Sequence, residues 1–128
     1  MTKEEFAVYL RALQARDYDT IQQYYTHDYR AHFDGQTFDS RGVVAVERKL
    51  SELAESRCDV LDVVADGTGV AIHAFLEMTF KKDAPLDFPL GQFKAGQRIK
   101  KRFCGFYKLR DGKISEFRVF PFLGEKLD

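Results

Sequence analysis

Two Asp-Gly dipeptides constrain the fold of this chain more than any other feature. Asp66-Gly67 divides the segment CDVLDVVADGTGVAIHAFLEMTF, and Asp111-Gly112 separates QRIKKRFCGFYKL from KISEFRVFPF. Alternating apolar residues flank both dipeptides, and Asp-Gly between two alternating runs is a strong β-hairpin signal. The second half of the chain is therefore predicted to form four antiparallel strands.

The first half of the chain has mainly helical spacing. Thr2 and Glu5 form a capping-box pattern that opens a first helix. Asp17 is placed to cap a short second helix, and Asp39 or Ser40 to cap a third. A strand is predicted between the second and third helices. Helices followed by antiparallel strands indicate an α+β domain with the helices packed on one face of the sheet.

Composition and charge argue against several classes of protein. The chain has 128 residues, so we expect residues 1–128 to form a single domain. Twenty acidic and twenty basic residues cancel, so no overall field favours nucleic acid or an anionic membrane. The N-terminal segment does not read as a secretory signal, and no apolar run approaches the ~20 residues of a membrane span. Cys58 and Cys104 have neither disulfide-framework nor zinc-site spacing, so we expect a cytoplasmic protein without a metal or other cofactor.

The segment YRAHFDGQ, residues 29–36, contains the first candidate for chemistry. His32 and Asp34 are two residues apart, so in a strand their side chains would share one face. A histidine held by a carboxylate is a competent base near neutral pH. The alternative places Phe33 in the core and both polar side chains in water, as expected for a strand covered on one face. Both interpretations remain open at this point.

The order of these elements resembles the nuclear transport factor 2-like superfamily, and within it the SnoaL-like polyketide cyclases and ketosteroid isomerase. The resemblance covers essentially the whole chain, through AVYLRALQARDYDTIQQYYTHDYRAHFDG, DVVADGTGVAIHAF and KLRDGKISEFRVF. It implies a cone-shaped, curved antiparallel sheet with three N-terminal helices packed on its concave face, an internal pocket, and a homodimer. The superfamily includes isomerases, cyclases, dehydratases, epoxide hydrolases and proteins without catalysis, so the fold does not determine the chemistry.

The resemblance transfers only part of the known catalytic sites. Tyr9 falls where the isomerase has a tyrosine that donates to the developing oxyanion, and a tyrosine at the core edge is the alternative. The isomerase base falls at Phe33, or at Asp34 if the strand has one extra residue. SnoaL-like cyclases commonly have a histidine where His32 lies. The acid that both groups have near Gly105 is absent, and the carboxylate-arginine-carboxylate site of the epoxide hydrolases is not visible.

The remaining candidates are mostly aromatic. Twelve Phe and six Tyr are enough to fill a core, line an apolar pocket, or do both. The predicted pocket residues are Tyr25, Phe33, Phe103, Tyr107 and Phe117. Lys101 is predicted on the inward side of its strand, where it would meet a substrate anion at the pocket mouth. The other basic residues of RIKKRF are expected in solvent rather than on nucleic acid.

The segment KKDAPLDFPLGQFKAG, residues 81–96, is longer than a minimal domain needs. Its four large apolar side chains argue against simple disorder. It is predicted to be either a lid over the pocket or an arm packed on a partner subunit.

These patterns predict a protein with a pocket for a small, largely apolar molecule. One hypothesis is a cofactor-independent isomerase, cyclase or dehydratase that moves a proton with Tyr9, His32 and Asp34. The competing hypothesis is a non-catalytic ligand-binding or structural module of the same fold. In both, the chain is expected to form a homodimer through the outer face of the sheet. A third possibility is that the aromatic interior is filled core.

Overall fold

Three helices and six strands follow one another in the computed structural model, which describes residues 1–33 and 35–121. The helices are α1 (Lys3–Gln14), α2 (Tyr18–Gln22) and α3 (Ser40–Leu53). The strands are β1 (Tyr25–Phe33), β2 (Gln36–Phe38), β3 (Ala54–Ala65), β4 (Gly69–Phe80), β5 (Arg98–Arg110) and β6 (Lys113–Pro121). No helix in the described part of the chain has the length and apolar character to cross a membrane.

The helix starts follow the capping residues predicted from the sequence. Thr2 Oγ1 accepts the Glu5 N–H, and the Glu5 carboxylate accepts the Thr2 N–H, both at 3.1 Å. Asp17 and Asp39 each accept the N–H of the residue three positions on, at 3.3 and 2.7 Å. These bonds satisfy backbone donors that the first turn of a helix leaves without a partner. Of the two predicted caps for α3, Asp39 is the one used.

The six strands form one curved, unclosed sheet in the order β2-β1-β6-β5-β4-β3. Both predicted hairpins are present: β3 with β4, and β5 with β6. Asp111 and Gly112 have φ angles of 52° and 76°, the positive pair that a two-residue type I′ turn requires. The contact between β1 and β6 is parallel and was not predicted, and β2 is an additional short strand.

The main core lies between the helices and the inner face of the sheet, which confirms the predicted α+β packing. Its buried aromatic members come from α1, β1 and β5, and are Phe6, Tyr9, Tyr25, Tyr29 and Tyr107. A smaller cluster joins the end of α3 to β4 and to the segment that follows β4. On the side of the large core, aromatic rings and aliphatic side chains such as Val70 and Ile72 therefore line the inner face together.

Gly105 allows two strands to bring large side chains together on the inner face. A Cβ atom at this position would lie 2.8 Å from Phe117 Cε1 and 3.2 Å from Ile72 Cγ1. Both distances are shorter than side chains normally tolerate. The Phe117 ring uses this space to stack on Tyr107, with ring centroids 4.3 Å apart. A glycine is needed here for close packing rather than for an unusual backbone angle.

The 81–96 segment has no helix or strand, yet it is packed against the domain. Phe88 is 6% exposed, and Phe93 stacks on Phe80 with ring centroids 4.4 Å apart. Gln36 on β2 donates a hydrogen bond to the Pro89 carbonyl at 2.5 Å. These contacts keep Phe88 and Phe93 packed against the domain, whereas Leu86 is exposed. Whether the segment acts as a lid or as a subunit arm stays a prediction.

Candidate functional site

Alternation along β1 separates the candidate residues of YRAHFDGQ onto two faces. Tyr29 and Ala31 are 2% and 1% exposed, and they belong to the main core. Phe33 lies on the same face and stacks on Phe38 of β2, with centroids 4.9 Å apart. His32 takes the opposite face by strand parity. The structure thus brings Phe33 rather than His32 to the interior, and Asp34 lies outside the described residues.

The surroundings of His32 are polar and belong to the outer face. Its Nδ1 lies 3.0 Å from Thr37 Oγ1 in a hydrogen bond, and its Nε2 lies 3.7 Å from Glu116 Oε1. Glu116 also forms an ion pair with Arg118. A cavity of about 360 Å³ next to His32 is lined largely by charged side chains of β1, β5 and β6. His32 is not brought together with Tyr9, with which it was predicted to act.

Four buried tyrosines meet in the interior. The hydroxyl oxygens of Tyr9 on α1 and Tyr25 on β1 are hydrogen-bonded at 2.7 Å. The Tyr25 ring stacks on Tyr29 at a centroid distance of 4.0 Å, and Tyr9 meets Tyr107 edge-on at 6.0 Å. All four residues are 5% exposed or less. We call Tyr9, Tyr25, Tyr29 and Tyr107 the tyrosine cluster.

The four hydroxyls of the tyrosine cluster differ in pKa. Burial raises the pKa of all four hydroxyls. Burial raises the pKa of Tyr25 to about 12, and hydrogen bonds with Tyr9 and Tyr29 act in the opposite direction. The same bonds raise the pKa values of Tyr9 and Tyr29. A hydroxyl that accepts hydrogen bonds is stabilised as the anion. Either hydroxyl could donate in the Tyr9–Tyr25 bond. The pKa shifts favour the arrangement in which Tyr25 accepts from its neighbours and keeps its own O–H as a donor.

Glu47 lies on the stripe of α3 that faces the core. It is half-buried on α3, and burial raises its pKa, with the charge of Arg16 acting in the opposite direction. Its own charge raises the pKa values of Tyr25, Tyr107 and Cys58, which lie on three different strands. Within the described residues, its carboxylate accepts no hydrogen bond. Glu47 is thus a partly buried acid on the core-facing side of α3.

The sequence analysis missed Glu47, although the helical pattern contains a signal for it. Val43, Val46 and Leu50 are buried and define the stripe of α3 that faces the core. At about 100° per residue, a residue four after Val43 and three before Leu50 lies within that stripe. A carboxylate at such a position is uncommon unless it has a partner or a function.

The predicted pocket aromatics converge on the inner face. Tyr25 and Tyr107 are buried members of the main core, and Phe33, Phe103 and Phe117 are half-buried residues that pack against it. Lys101 lies on the same face as Phe103, two residues earlier on β5, and is exposed; its role at a pocket mouth stays a prediction. Within residues 1–33 and 35–121, no three His, Cys, Asp or Glu side chains are grouped as a metal site requires.

Comparisons with known proteins agree with this architecture. The model of the SnoaL-like domain family matches residues 6–117. No curated protein sequence matches the chain. A SnoaL-like polyketide cyclase from Agrobacterium tumefaciens is similar in structure, with a TM-score of 0.70 and 20% identity, over 92% of this chain and 88% of that one.

Two further solved structures have the same fold. An LEH-like epoxide hydrolase from M. tuberculosis has a TM-score of 0.67 and 19% identity, over 90% of this chain and 77% of the other. TsrD from Streptomyces laurentii has a TM-score of 0.75 and 14% identity, over 96% and 92% of the two chains. Identities this low establish the shared fold and leave the chemistry to the site itself.

Proposed function

Because the chain belongs to the SnoaL-like domain family, we propose that it binds a small, largely apolar molecule against the inner face of its sheet. We further propose that it moves a proton on that molecule without a cofactor, as an isomerase, cyclase or dehydratase would. The bound molecule would contact the half-buried rings of Phe33, Phe103 and Phe117. Lys101, at the exposed end of this surface, would meet any anionic substituent.

The hydrogen-bonded pair of Tyr9 and Tyr25 is the observation that carries this proposal. In the arrangement we propose, Tyr25 accepts from Tyr9 and Tyr29, so that its own proton can be donated to an oxygen of the ligand. Donors that are already oriented in a dry site stabilise negative charge developing on an oxygen more than water does. Tyr9, which the family resemblance suggested as the donor, would act together with Tyr25.

His32 is given no part in the proposed reaction. Its ring lies on the outer face, with Thr37 and Glu116 as its contacts. A catalytic group must come within hydrogen-bond reach of the bound molecule or of a bridging water. A role for Asp34 stays a prediction, because that residue lies outside the described part of the chain.

The binding step can be tested with 2-naphthol, a planar apolar molecule with one hydroxyl. The chain has no tryptophan, so the probe can be excited where the protein does not absorb. Wild-type protein is expected to change the naphthol fluorescence with saturation. Loss of one hydrogen bond in Tyr25→Phe should weaken binding about tenfold.

The matched control is Tyr18→Phe, which removes a phenol hydroxyl from a ring that faces Arg48 instead of the tyrosine cluster. This variant should bind 2-naphthol as the wild type does. Equal weakening in both variants, or no binding to the wild type, would contradict the proposed site.

A non-catalytic ligand-binding module is the second candidate, favoured by the ring contacts that occupy much of the interior. The stack of Tyr107 on Phe117, at 4.3 Å, is of the kind found in apolar binding surfaces as well as in cores. Such a module should lose affinity in Phe33→Ala or Phe117→Ala and be little affected by Tyr25→Phe. The naphthol titration therefore separates the two candidates.

We also propose that two copies associate through the outer face of the sheet. Val64, Phe106 and Phe120 are 71%, 42% and 54% exposed there, beyond what isolated surface residues explain. Oppositely charged groups such as Asp62 and Arg118 share this face, so it could meet a second copy of itself. Sedimentation analysis should give a dimer for the wild type and a monomer for Phe106→Asp.

A reducing cytoplasm is the proposed compartment. Cys58 and Cys104 are both free thiols. By strand register they lie on opposite faces of the sheet, so no disulfide can join them within one chain.

A further inference from the structure

A hydroxyl, an imidazole and a carboxylate lie side by side on three neighbouring strands of the outer face. His32 on β1 is the register partner of Thr37 on β2, and Glu116 lies on β6, the other neighbour of β1. Thr37 Oγ1 is hydrogen-bonded to His32 Nδ1 at 3.0 Å, and Glu116 Oε1 lies 3.7 Å from His32 Nε2. The imidazole therefore has the hydroxyl on one ring nitrogen and the carboxylate on the other.

The hydroxyl of this row opens onto a second cavity, of about 350 Å³, where β1, β2 and β6 meet. A volume of this size accommodates a small ligand. Val64 and Phe106, which were proposed to mediate association of two copies, do not line it. Polar and apolar residues share the lining, which includes His32, Thr37 and Arg118 together with Phe33, Val119 and Phe120.

The arrangement is that of a nucleophile, a base and a group that orients the base. A proton on Nε2 of His32 faces the Glu116 carboxylate, and this tautomer leaves Nδ1 to accept the Thr37 proton. Arg118 contacts Glu116 through its Nε, and its guanidinium has further N–H groups that can donate to an oxygen in the cavity. A cross-strand pair with only a structural role would need neither the carboxylate nor the cavity.

We propose that Thr37, His32 and Glu116 form an acyl-transfer site that hydrolyses esters of small apolar carboxylic acids. Thr37 is the nucleophile, His32 is the base, and Glu116 is a positioning residue that fixes the tautomer of His32. This site is independent of the proposed function, because it lies on the face of the sheet opposite the tyrosine cluster. The apolar residues of the lining would contact the acyl chain.

The reaction balances with these groups and water. Thr37 Oγ1 forms a bond to the ester carbonyl carbon as its proton passes to His32 Nδ1, and the C=O π electrons move to the oxygen, which accepts from Arg118. When the C=O bond re-forms, the bond to the alcohol oxygen breaks, and that oxygen takes the proton from His32. Water then attacks the threonine ester with His32 again as base. The acid is released, and Thr37 recovers its proton.

The test uses 4-nitrophenyl butyrate, an ester with a small apolar acyl chain and a product that is followed by its absorbance. Wild-type protein should hydrolyse it with saturation, and mass spectrometry of a digest should find one butyryl group on Thr37. Thr37→Val, which keeps the shape of the side chain without the hydroxyl, should remove both signals, whereas Thr37→Ser should retain them. His32→Gln should slow hydrolysis by at least about 100-fold, the usual contribution of a general base.

Two further variants separate catalysis at this site from other effects. His27→Gln removes an exposed imidazole from the same strand, and it should hydrolyse the ester at the wild-type rate. Glu116→Gln should lower kcat and leave KM unchanged, since a positioning residue acts on the base and not on the bound ester. Circular dichroism should show the wild-type fold in every variant, because the replaced side chains all retain contact with solvent.

Each outcome either supports or overturns the proposal. Absence of saturable hydrolysis by the wild type would overturn it, and so would wild-type activity in Thr37→Val or His32→Gln. A butyryl group found on histidine or lysine but not on Thr37, or equal losses in His27→Gln and His32→Gln, would show ordinary surface reactivity and overturn it as well. Binding of 2-naphthol at the inner face is measured separately, so its failure would leave this inference standing.

Discussion

Removing the two hydrogen-bonded hydroxyls one at a time should have unequal effects on stability. In the proposed arrangement with Tyr25 as the acceptor, Tyr9→Phe deletes one donor, and Tyr25 keeps its hydrogen bond with Tyr29. Tyr25→Phe deletes the shared acceptor and leaves the hydroxyls of Tyr9 and Tyr29 without it. Both changes keep the aromatic ring, so the packing of the core is preserved.

The expected magnitudes follow from the net value of a hydrogen bond and from the cost of a buried polar group without a partner. Tyr9→Phe should lower the free energy of unfolding by about 1 kcal/mol, the typical net value of one hydrogen bond. Tyr25→Phe should lower it by about 2–4 kcal/mol, because two buried donors each lose a partner at about 1–3 kcal/mol.

The double variant gives the sharpest test of this network. Once Tyr25 is phenylalanine, the Tyr9 hydroxyl is a buried donor without an acceptor, and its removal should stabilise the protein. Tyr9→Phe/Tyr25→Phe is therefore expected to be more stable than Tyr25→Phe alone, by about 1 kcal/mol. Urea unfolding followed by circular dichroism measures all four proteins. A double variant less stable than Tyr25→Phe, or equal costs for the two single changes, would refute the shared-acceptor arrangement.

Three other predictions concern stability. The raised pKa of Glu47 means that the folded state holds the carboxyl proton of Glu47 more tightly than the unfolded state does. The free energy of unfolding of the wild type, measured by urea unfolding relative to Glu47→Gln, should therefore fall as the pH rises from the ordinary glutamate pKa to the raised one. The expected loss is about 1.4 kcal/mol for each pH unit between these two pKa values. Gly105→Ala should lower the free energy of unfolding by about 1–3 kcal/mol in the same assay. Gly67→Ala, with no atom within 4 Å of the new Cβ, should lower it by less than about 0.5 kcal/mol. Equal losses in the two variants would contradict the close approach of Phe117 to Gly105. Phe88→Ala should lower the free energy of unfolding by about 3 kcal/mol and Leu86→Ala, at a site 88% exposed, by almost nothing; a small effect of Phe88→Ala would show that the 81–96 segment is not packed in solution.

The features of the fold that could be predicted are those that short stretches of chain determine. A capping box needs only Thr2 and Glu5, and a type I′ hairpin needs little more than Asp111 and Gly112. The parallel pairing of β1 with β6 joins residues about 90 positions apart, for example Ala31 with Phe117. No local pattern specifies such a pairing, because it depends on how the whole sheet packs under the helices.

The position of His32 could have been predicted by following the alternation of β1 for longer. Tyr29 and Ala31 are buried, and the same parity continues to Phe33. Three apolar residues at alternate positions outweigh one attractive pair of polar residues, since a strand buries a single face here.

The polar residues on the inward-facing sides of the helices and strands share a property that a search for polar clusters overlooks. Tyr9 and Tyr25 are buried on α1 and β1, and Glu47 lies between buried apolar residues on the core-facing stripe of α3. A polar group must replace an apolar one on an inward face to reach an enclosed site, and so it appears as an interruption of a hydrophobic pattern. A run of polar residues close in sequence, such as the one around His32, more often marks the solvent face. In this fold, the residues most worth testing for chemistry inside the domain are therefore the polar side chains that break an apolar stripe.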